Sequence, residues 1–277
     1  MPRGIDPSYH KAKWGQHFLI DEQIIENIVN YAEIKSTDTI LEIGGGTGNL
    51  TRKLAELCYK LIVIEADRLL AEKLGSIPDI EVLHGDALRV EFPSFDKTVS
   101  NLPYQISSQI TFKLLKHPFK CGVLMYQKEF ARRMVAAPGS RDYSRLTVCL
   151  SYNSKVKQLA RVPKKAFNPR PKVDSVIVKL VPTQPRFHVL NEMFFQRFVS
   201  ALFTQRRKTL KAALKVTGRL LNVRTTEQLM AELDPHRLVQ RPYELSPEEI
   251  ATLSNRLFEL TKFMKDDTAA AEQTRAV

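Results

Sequence analysis

No stretch of the 277-residue sequence is apolar over the ~20 residues needed to cross a bilayer. The opening MPRGIDPSYHKAKWGQHFLID has no unbroken apolar centre of the secretory kind, and Asp6 and Pro7 interrupt any amphipathic transit helix. Cysteine is scarce. Cys58, Cys121 and Cys149 lie far apart with no CxxC pair, which argues against a disulfide framework and a cysteine-held metal; all three sit in apolar stretches and read as buried, reduced thiols. These absences lead us to expect a cytoplasmic chain with no membrane partner and no metal. Acid is missing too, but only in places. From Met193 to Arg219 there is no Asp or Glu, while Arg197, Arg206, Arg207, Lys208, Lys211, Lys215 and Arg219 are all present. Between Lys155 and Arg186, nine Lys and Arg face Asp174 alone. With a net charge of +12, such segregated positive charge suits a nucleic-acid backbone; a merely solvated surface is the alternative.

Against that background the chain alternates strand-like and helix-like runs. TILEI (39–43), KLIVIEA (60–66), IEVLHG (80–85), KTVSNL (97–102) and CGVLMYQ (121–127) read as strands, with helical patterns at 48–58, 67–75, 107–117 and 128–137. This alternation predicts an α/β fold, a mostly parallel sheet with helices on both faces. After Pro138, RLTVCLSYN and SVIVKLVP read as two further strands forming an antiparallel edge. VPTQPRF (181–187) reads as a linker. Only helices follow, at 191–217, 225–233 and 246–263, the last opening with Ser246 as N-cap and Pro247 at the first helical position. We therefore divide the chain into a sheet domain, 1–182, a small all-α domain, 183–264, and a tail, 265–277, too poor in apolar residues to pack.

The turn in TILEIGGGTGNLTRKLAEL places Gly44, Gly45, Gly46 and Gly48 between a strand and a helix, where open α/β sheets bind ligands. It lacks the Lys-Ser/Thr of a phosphate-binding loop, and Asn49 stands where a dinucleotide fingerprint needs its third glycine. Glu65, about twenty residues on, is placed to hold ribose hydroxyls, as in any adenosine site. Asp86, in HGDAL, can accept a hydrogen bond from an adenine amine, and Glu42 stands near where a methionine amino group would lie. SNLPYQ (100–105) supplies the discriminating chemistry. An exocyclic adenine amine is a poor nucleophile because its lone pair is delocalised. Two acceptors, the Asn101 side-chain oxygen and the carbonyl of Leu102 or Pro103, can grip both its hydrogens, while Tyr104 stacks on the extruded base. In AFNPRPKVDS, Phe167 is a candidate for the base's other face, or else a plug between domains. Phe194, Phe195, Phe198, Leu202 and Phe203 recur at helical spacing and read as core, with Arg206, Arg207, Lys208 and Lys211 projecting as a phosphate clamp.

Eight ordered motifs, KWGQHFLID, LEIGGGTGNLT, IEAD, GDAL, NLPYQISS, FNPRPKVDS, FTQRRKTLKAAL and YELSPEEI, resemble those of the small-subunit ribosomal RNA adenine N6,N6-dimethyltransferases, the kasugamycin-resistance methyltransferase family. The resemblance covers about Lys11 to Phe263. It implies a Rossmann-like S-adenosylmethionine-dependent methyltransferase domain and a small helical domain that positions RNA. It implies dimethylation of two adjacent adenosines in the 3′-terminal hairpin loop of small-subunit rRNA, within a pre-ribosomal subunit, by a monomer acting late in assembly. Carried over by position, it implies a cofactor site of Gln16, His17, Leu19, Gly44, Gly46, Glu65, Asp86, Ala87 and Asn101. The target-base site would be Asn101, Leu102, Pro103 and Tyr104, with Phe167 opposite. At His17 the family more often carries Asn, and at Gln109 Pro. A large-subunit rRNA adenine methyltransferase of the antibiotic-resistance type, a non-enzymatic RNA-binding assembly or transcription factor, and a NAD-dependent oxidoreductase are the rival readings.

Overall fold

The computed structural model describes residues 16–275, with side chains from 16 to 262. The leader reading and Lys13, Trp14 and Gly15 of the first motif lie outside the described residues. Two compact units divide the chain, the first Met1–Ala131 with Lys155–Pro182, the second Arg132–Ser154 with Thr183–Val277.

In the first unit, β1 (Phe18–Leu19) leads into α1 (Glu22–Ala32), and then β2 (Thr39–Ile43), α2 (Asn49–Ala55), β3 (Lys60–Glu65), α3 (Arg68–Leu74), β4 (Ile80–His84), β5 (Lys97–Asn101), α4 (Ser107–Leu114) and β6 (Cys121–Gln127) follow, with α5 (Lys128–Met134) divided between the first unit and the second. After the excursion into the second unit come β7 (Ser154–Val162), β8 (Phe167–Asn168) and β9 (Ser175–Pro182). Seven of these strands form one sheet in the order β4-β3-β2-β5-β6-β9-β7. The pairings β2–β3, β2–β5, β3–β4 and β5–β6 are parallel, and β6–β9 is antiparallel. Consecutive residues of β2 and β3 are buried, so both sheet faces are covered, and the expected α/β class holds. The order reverses at β2, whose partners β3 and β5 lie on either side. Such a switch point opens a crevice at the carboxyl ends of the strands. The opposite end is tied by charge. Asp38, fully buried, pairs with the buried Lys97 at 2.9 Å and with Lys120 at 3.2 Å, and Lys120 also reaches Asp96 at 2.9 Å.

The second unit holds α6 (Arg145–Asn153), α7 (Glu192–Phe203), α8 (Leu210–Leu221), α9 (Thr226–Glu232), α10 (Pro235–Val239) and α11 (Pro247–Arg275). Three expectations are corrected here. RLTVCLSYN is α6, not a strand. Leu146, Thr147, Val148, Leu150 and Tyr152 are all buried, and a helix buried nearly all round loses the periodicity that separates it from a strand. The strand role passes to SKVKQLARV, which is β7, and residues 132–154 join the second unit. The single helix expected over 191–217 is two, because Thr209 caps α8 through the Ala212 N–H and ends the turn that follows α7. The helical backbone of α11 reaches Arg275, through most of the tail 265–277 expected to be unstructured. The aromatic core of this unit gathers Phe195, Phe198 and Leu202 with Tyr143, Val148 and Leu214, and Phe194 and Phe203 pack against it, as their spacing predicts.

Candidate active site

A cleft opens at the carboxyl ends of β2, β3 and β5, where open α/β sheets bind ligands. Gln16, His17, Leu19, Gly44, Gly46, Glu65, Asn101, Leu102, Pro103 and Tyr104 all line it, so most of the sequence-derived set is brought together. Phe18, Glu42, Thr47, Asn49 and Leu50 line it as well; of these the sequence marks only Glu42 as a candidate.

The floor is the glycine turn. Gly44 and Gly46 have φ of +80° and +56°, which side chains rarely adopt. A Cβ at Gly46 would also stand 3.0 Å from the Phe18 ring, so the backbone must stay bare there. Beside the turn, the buried Glu65 accepts from the Gly46 N–H and the Asp67 N–H, both at 2.9 Å. Each oxygen keeps a free lone pair while its direction is fixed, as a carboxylate must be to hold a diol. Glu42 is different. It is buried inside β2, its Oε2 has no partner among the described residues, and burial, with the charge of Glu65 adding to it, pushes its carboxyl up to about 8.

The roof is residues 16–19. Asn49 donates to the Leu19 carbonyl at 2.7 Å, Asn101 donates to the His17 carbonyl at 3.1 Å, and His17 Nδ1 donates to the Pro169 carbonyl at 2.8 Å. Pairing of Phe18 with Asn168 and of Leu19 with Phe167 completes the attachment. Because the His17 oxygen can only accept, the NH₂ of Asn101 must face it, and the amide oxygen is left for the cleft. Tyr104 is steadied by a 2.6 Å hydrogen bond between its hydroxyl and that of Ser175, and its ring lies 5.8 Å from that of His17. The Pro103 carbonyl already accepts from the Ile106 N–H.

Three sequence-derived residues stand apart. Phe167 is 1% exposed, within the core cluster that holds Leu19, Val162 and Ile177, and does not line the cleft. Burying a phenylalanine gains about 2 kcal/mol, which a loop position facing solvent would forfeit. Asp86 and Ala87 follow β4 at the same sheet edge but outside the cleft lining; Asp86 caps the Leu88 N–H, and the Ala87 carbonyl accepts from Lys113. Asn49, absent from the sequence-derived set, carries a signal all the same, a side-chain amide where a third glycine is expected. Phe18 has none beyond its place in GQHFL.

In the second unit, the Arg206 guanidinium does not project freely: it donates to the Tyr143 and Arg141 carbonyls at 2.5 and 2.8 Å. Arg207, Lys208 and Lys211 are exposed, the first two in the turn before α8 rather than at the end of a helix. The cysteines are free, with Cys121 buried and Cys58 and Cys149 partly so. Among the described residues there is no cluster that could hold a metal ion, and no helix is long and apolar enough to cross a membrane.

Comparison with known proteins points to one family. The model of a family described as ribosomal RNA adenine dimethylase matches residues 8–255. A probable ribosomal RNA small subunit methyltransferase A of Methanosarcina mazei is 48% identical over 266 residues, 94% of this chain and 98% of that one. The protein of the same description from Thermococcus gammatolerans is 46% identical, over 85% of each chain. Among solved structures, a dimethyladenosine transferase from Plasmodium falciparum superposes with a TM-score of 0.71 at 36% identity, covering 86% of this chain and 96% of that one. A 23S rRNA methyltransferase, ErmE, does so with a TM-score of 0.61 at 30% identity, covering 87% and 99%.

Proposed function

This chain belongs to the ribosomal RNA adenine dimethylase family, and from that premise we propose that it methylates the N6 amines of two adjacent adenosines in the 3′-terminal hairpin loop of small-subunit rRNA. S-adenosylmethionine bound in the cleft supplies an electrophilic methyl group. Glycines 44 and 46 leave room for it, Glu65 holds its ribose, and residues 16–19 cover it. Asp86 and Ala87, at the next strand end, are left to its adenine.

The observation that carries this reading is the orientation of Asn101. With its NH₂ held by His17, its oxygen accepts one N6 hydrogen of an extruded adenine. Since the Pro103 carbonyl is engaged, that of Leu102 is the better acceptor for the second. In the first round, gripping both hydrogens draws the nitrogen towards pyramidal geometry and frees its lone pair; in the second the one remaining hydrogen is gripped by a single acceptor. In each round the N–C bond would form as the donor's C–S bond breaks and the N6 proton passes to solvent, so alignment supplies the acceleration and no covalent intermediate on the protein is needed. Tyr104 stacks on the base. Arg207, Lys208 and Lys211 serve RNA phosphates, and the active species is a monomer acting on a pre-ribosomal subunit.

Incubating the pure protein and methyl-labelled cofactor with each ribosomal subunit, followed by mass spectrometry of the rRNA, tests this. Two adjacent dimethyladenosines near the 3′ end of small-subunit rRNA are expected. Label in large-subunit rRNA alone would favour the rival that the likeness to ErmE keeps in view. Binding without transfer would favour a non-enzymatic RNA-binding protein.

A further inference from the structure

At the end of β4, the residues left to the donor's adenine are held from behind by one lysine of α4. The Lys113 ammonium donates to the Ala87 carbonyl at 2.8 Å and to the Val90 carbonyl, and it stands over the Phe92 ring, 4.1 Å from its centroid. That ring is itself fixed. Phe92 is buried, with its centroid 5.2 Å from that of His117 and 6.3 Å from that of Phe95. Two carbonyls and an aromatic face are what a partly desolvated ammonium needs. Burial nonetheless draws the Lys113 pKa below the usual lysine value, although the charges of Asp86 and Glu91 oppose it. The fold thus commits a half-buried cation to the turn that carries Asp86 and Ala87.

The peptide unit between Ala87 and Leu88 gives this tie its direction. Its oxygen accepts from Lys113, and its N–H donates to Asp86 Oδ1 at 2.9 Å. A planar unit held at both ends cannot turn, so the Asp86 carboxylate is oriented by a lysine that does not touch it. Its second oxygen, Oδ2, has the exposed Arg89 guanidinium near it at 3.8 Å, too far for a hydrogen bond, and can accept from a ligand. We propose that Lys113 is the positioning residue that aims Asp86 at the exocyclic amine of the donor's adenine, and so sets the base specificity of the donor site. The inference rests on the adenine assignment of Asp86 and Ala87 made above and deepens it. Lys113 lies in the last turn of α4, the helix that follows directly on the target-base segment, so one helix bears on both.

The test is Lys113→Met, titrated by calorimetry with two ligands: S-adenosylhomocysteine and its deaminated analogue S-inosylhomocysteine, which lacks the amine. Affinity for the first should fall about tenfold, the scale of one hydrogen bond to a charged group, while affinity for the second should hold. In methyl transfer the KM for the donor should rise by a similar factor, with kcat changing far less. Equal loss for both ligands overturns the proposal, because a lysine that only supports the fold does not read the base. Unchanged affinity for both overturns it as well. Lys113→Gln, which keeps one donor, carries the same contrast should the Met protein not fold. Asp86→Asn, made in otherwise unaltered protein, separates the inference from its premise. If it weakens S-adenosylhomocysteine alone while Lys113→Met does not, the tie from Lys113 falls and the adenine assignment stands. If Asp86→Asn leaves both ligands bound as before, the adenine assignment falls and the proposal with it.

Discussion

Asn101 carries two duties with one amide, and the division is set by chemistry rather than by shape. Its nitrogen donates to the carbonyl of His17, and in the proposed arrangement its oxygen is the acceptor for the target amine. Asn101→Asp keeps the shape and reverses the first contact, setting a carboxylate oxygen against a carbonyl oxygen. We expect methyl transfer to fall by about 100-fold or more, the scale of a small misplacement at a reacting centre, with cofactor affinity weakened as residues 16–19 loosen. Normal cofactor affinity and near-normal turnover in the Asp variant would show that the amide orientation does not matter. At this scale much of the lining of the candidate cleft is legible in the linear order. The glycines, Glu65 and the NLPY run are set by chemistry that tolerates few residue types. Phe167 is not legible in the same way: an aromatic ring among prolines and lysines suggests a surface task. Nothing in the linear order reveals that its strand pairs with Leu19 and turns the ring into the core. Arg206 misleads for a similar reason, since its carbonyl partners lie more than sixty residues away.

Strands β2, β5 and β6 are held at their amino ends by the Asp38, Lys97 and Lys120 network, opposite the cleft. Burial works against the charge on Asp38, but hydrogen bonds from Lys97, the Lys35 backbone and Lys120 prevail and bring its carboxyl down from 3.8 to about 2. A lowered acid stabilises the fold above its unfolded value, and that stability is lost as pH falls from 3.8 towards 2. Lys97→Met strands the carboxylate beside an apolar chain and should cost on the order of 3 kcal/mol at neutral pH. It should also flatten the acid limb between those pH values. Melting curves from pH 6 down to 2 check both, and an unchanged acid limb would remove Asp38 from the account. The elements themselves follow local rules closely: β2 and β6 begin and end where alternation predicts, and the glycine turn fixes the start of α2. Helix α1, outside the alternating pattern, has local signals of its own, the Asp21 cap and the apolar spacing of Ile25, Ile28 and Ala32. For α6 the signal is ambiguous in itself, because a segment buried on most sides shows no clear polar face of either period.

At the scale of the molecule, the chain visits the second unit twice. Residues 132–154 contribute Tyr143, Val148 and Tyr152 to a core whose other members lie beyond Thr183. A boundary at Pro182, natural from the sequence because the linker and the helical texture both begin there, would leave those side chains without partners. A fragment ending at Pro182 should therefore bind hydrophobic dye and aggregate, while the intact chain does neither. A monomeric, cooperatively melting fragment would contradict this. The attachment of residues 16–19 reaches further, into the timing of repeated transfer. Each adenosine needs two rounds, and between rounds spent donor must leave and fresh donor enter. In the proposed arrangement that exchange lifts the roof, and lifting the roof breaks the bond that aims Asn101. Reloading and gripping the target are then mutually exclusive, so every methyl added begins with the base let go.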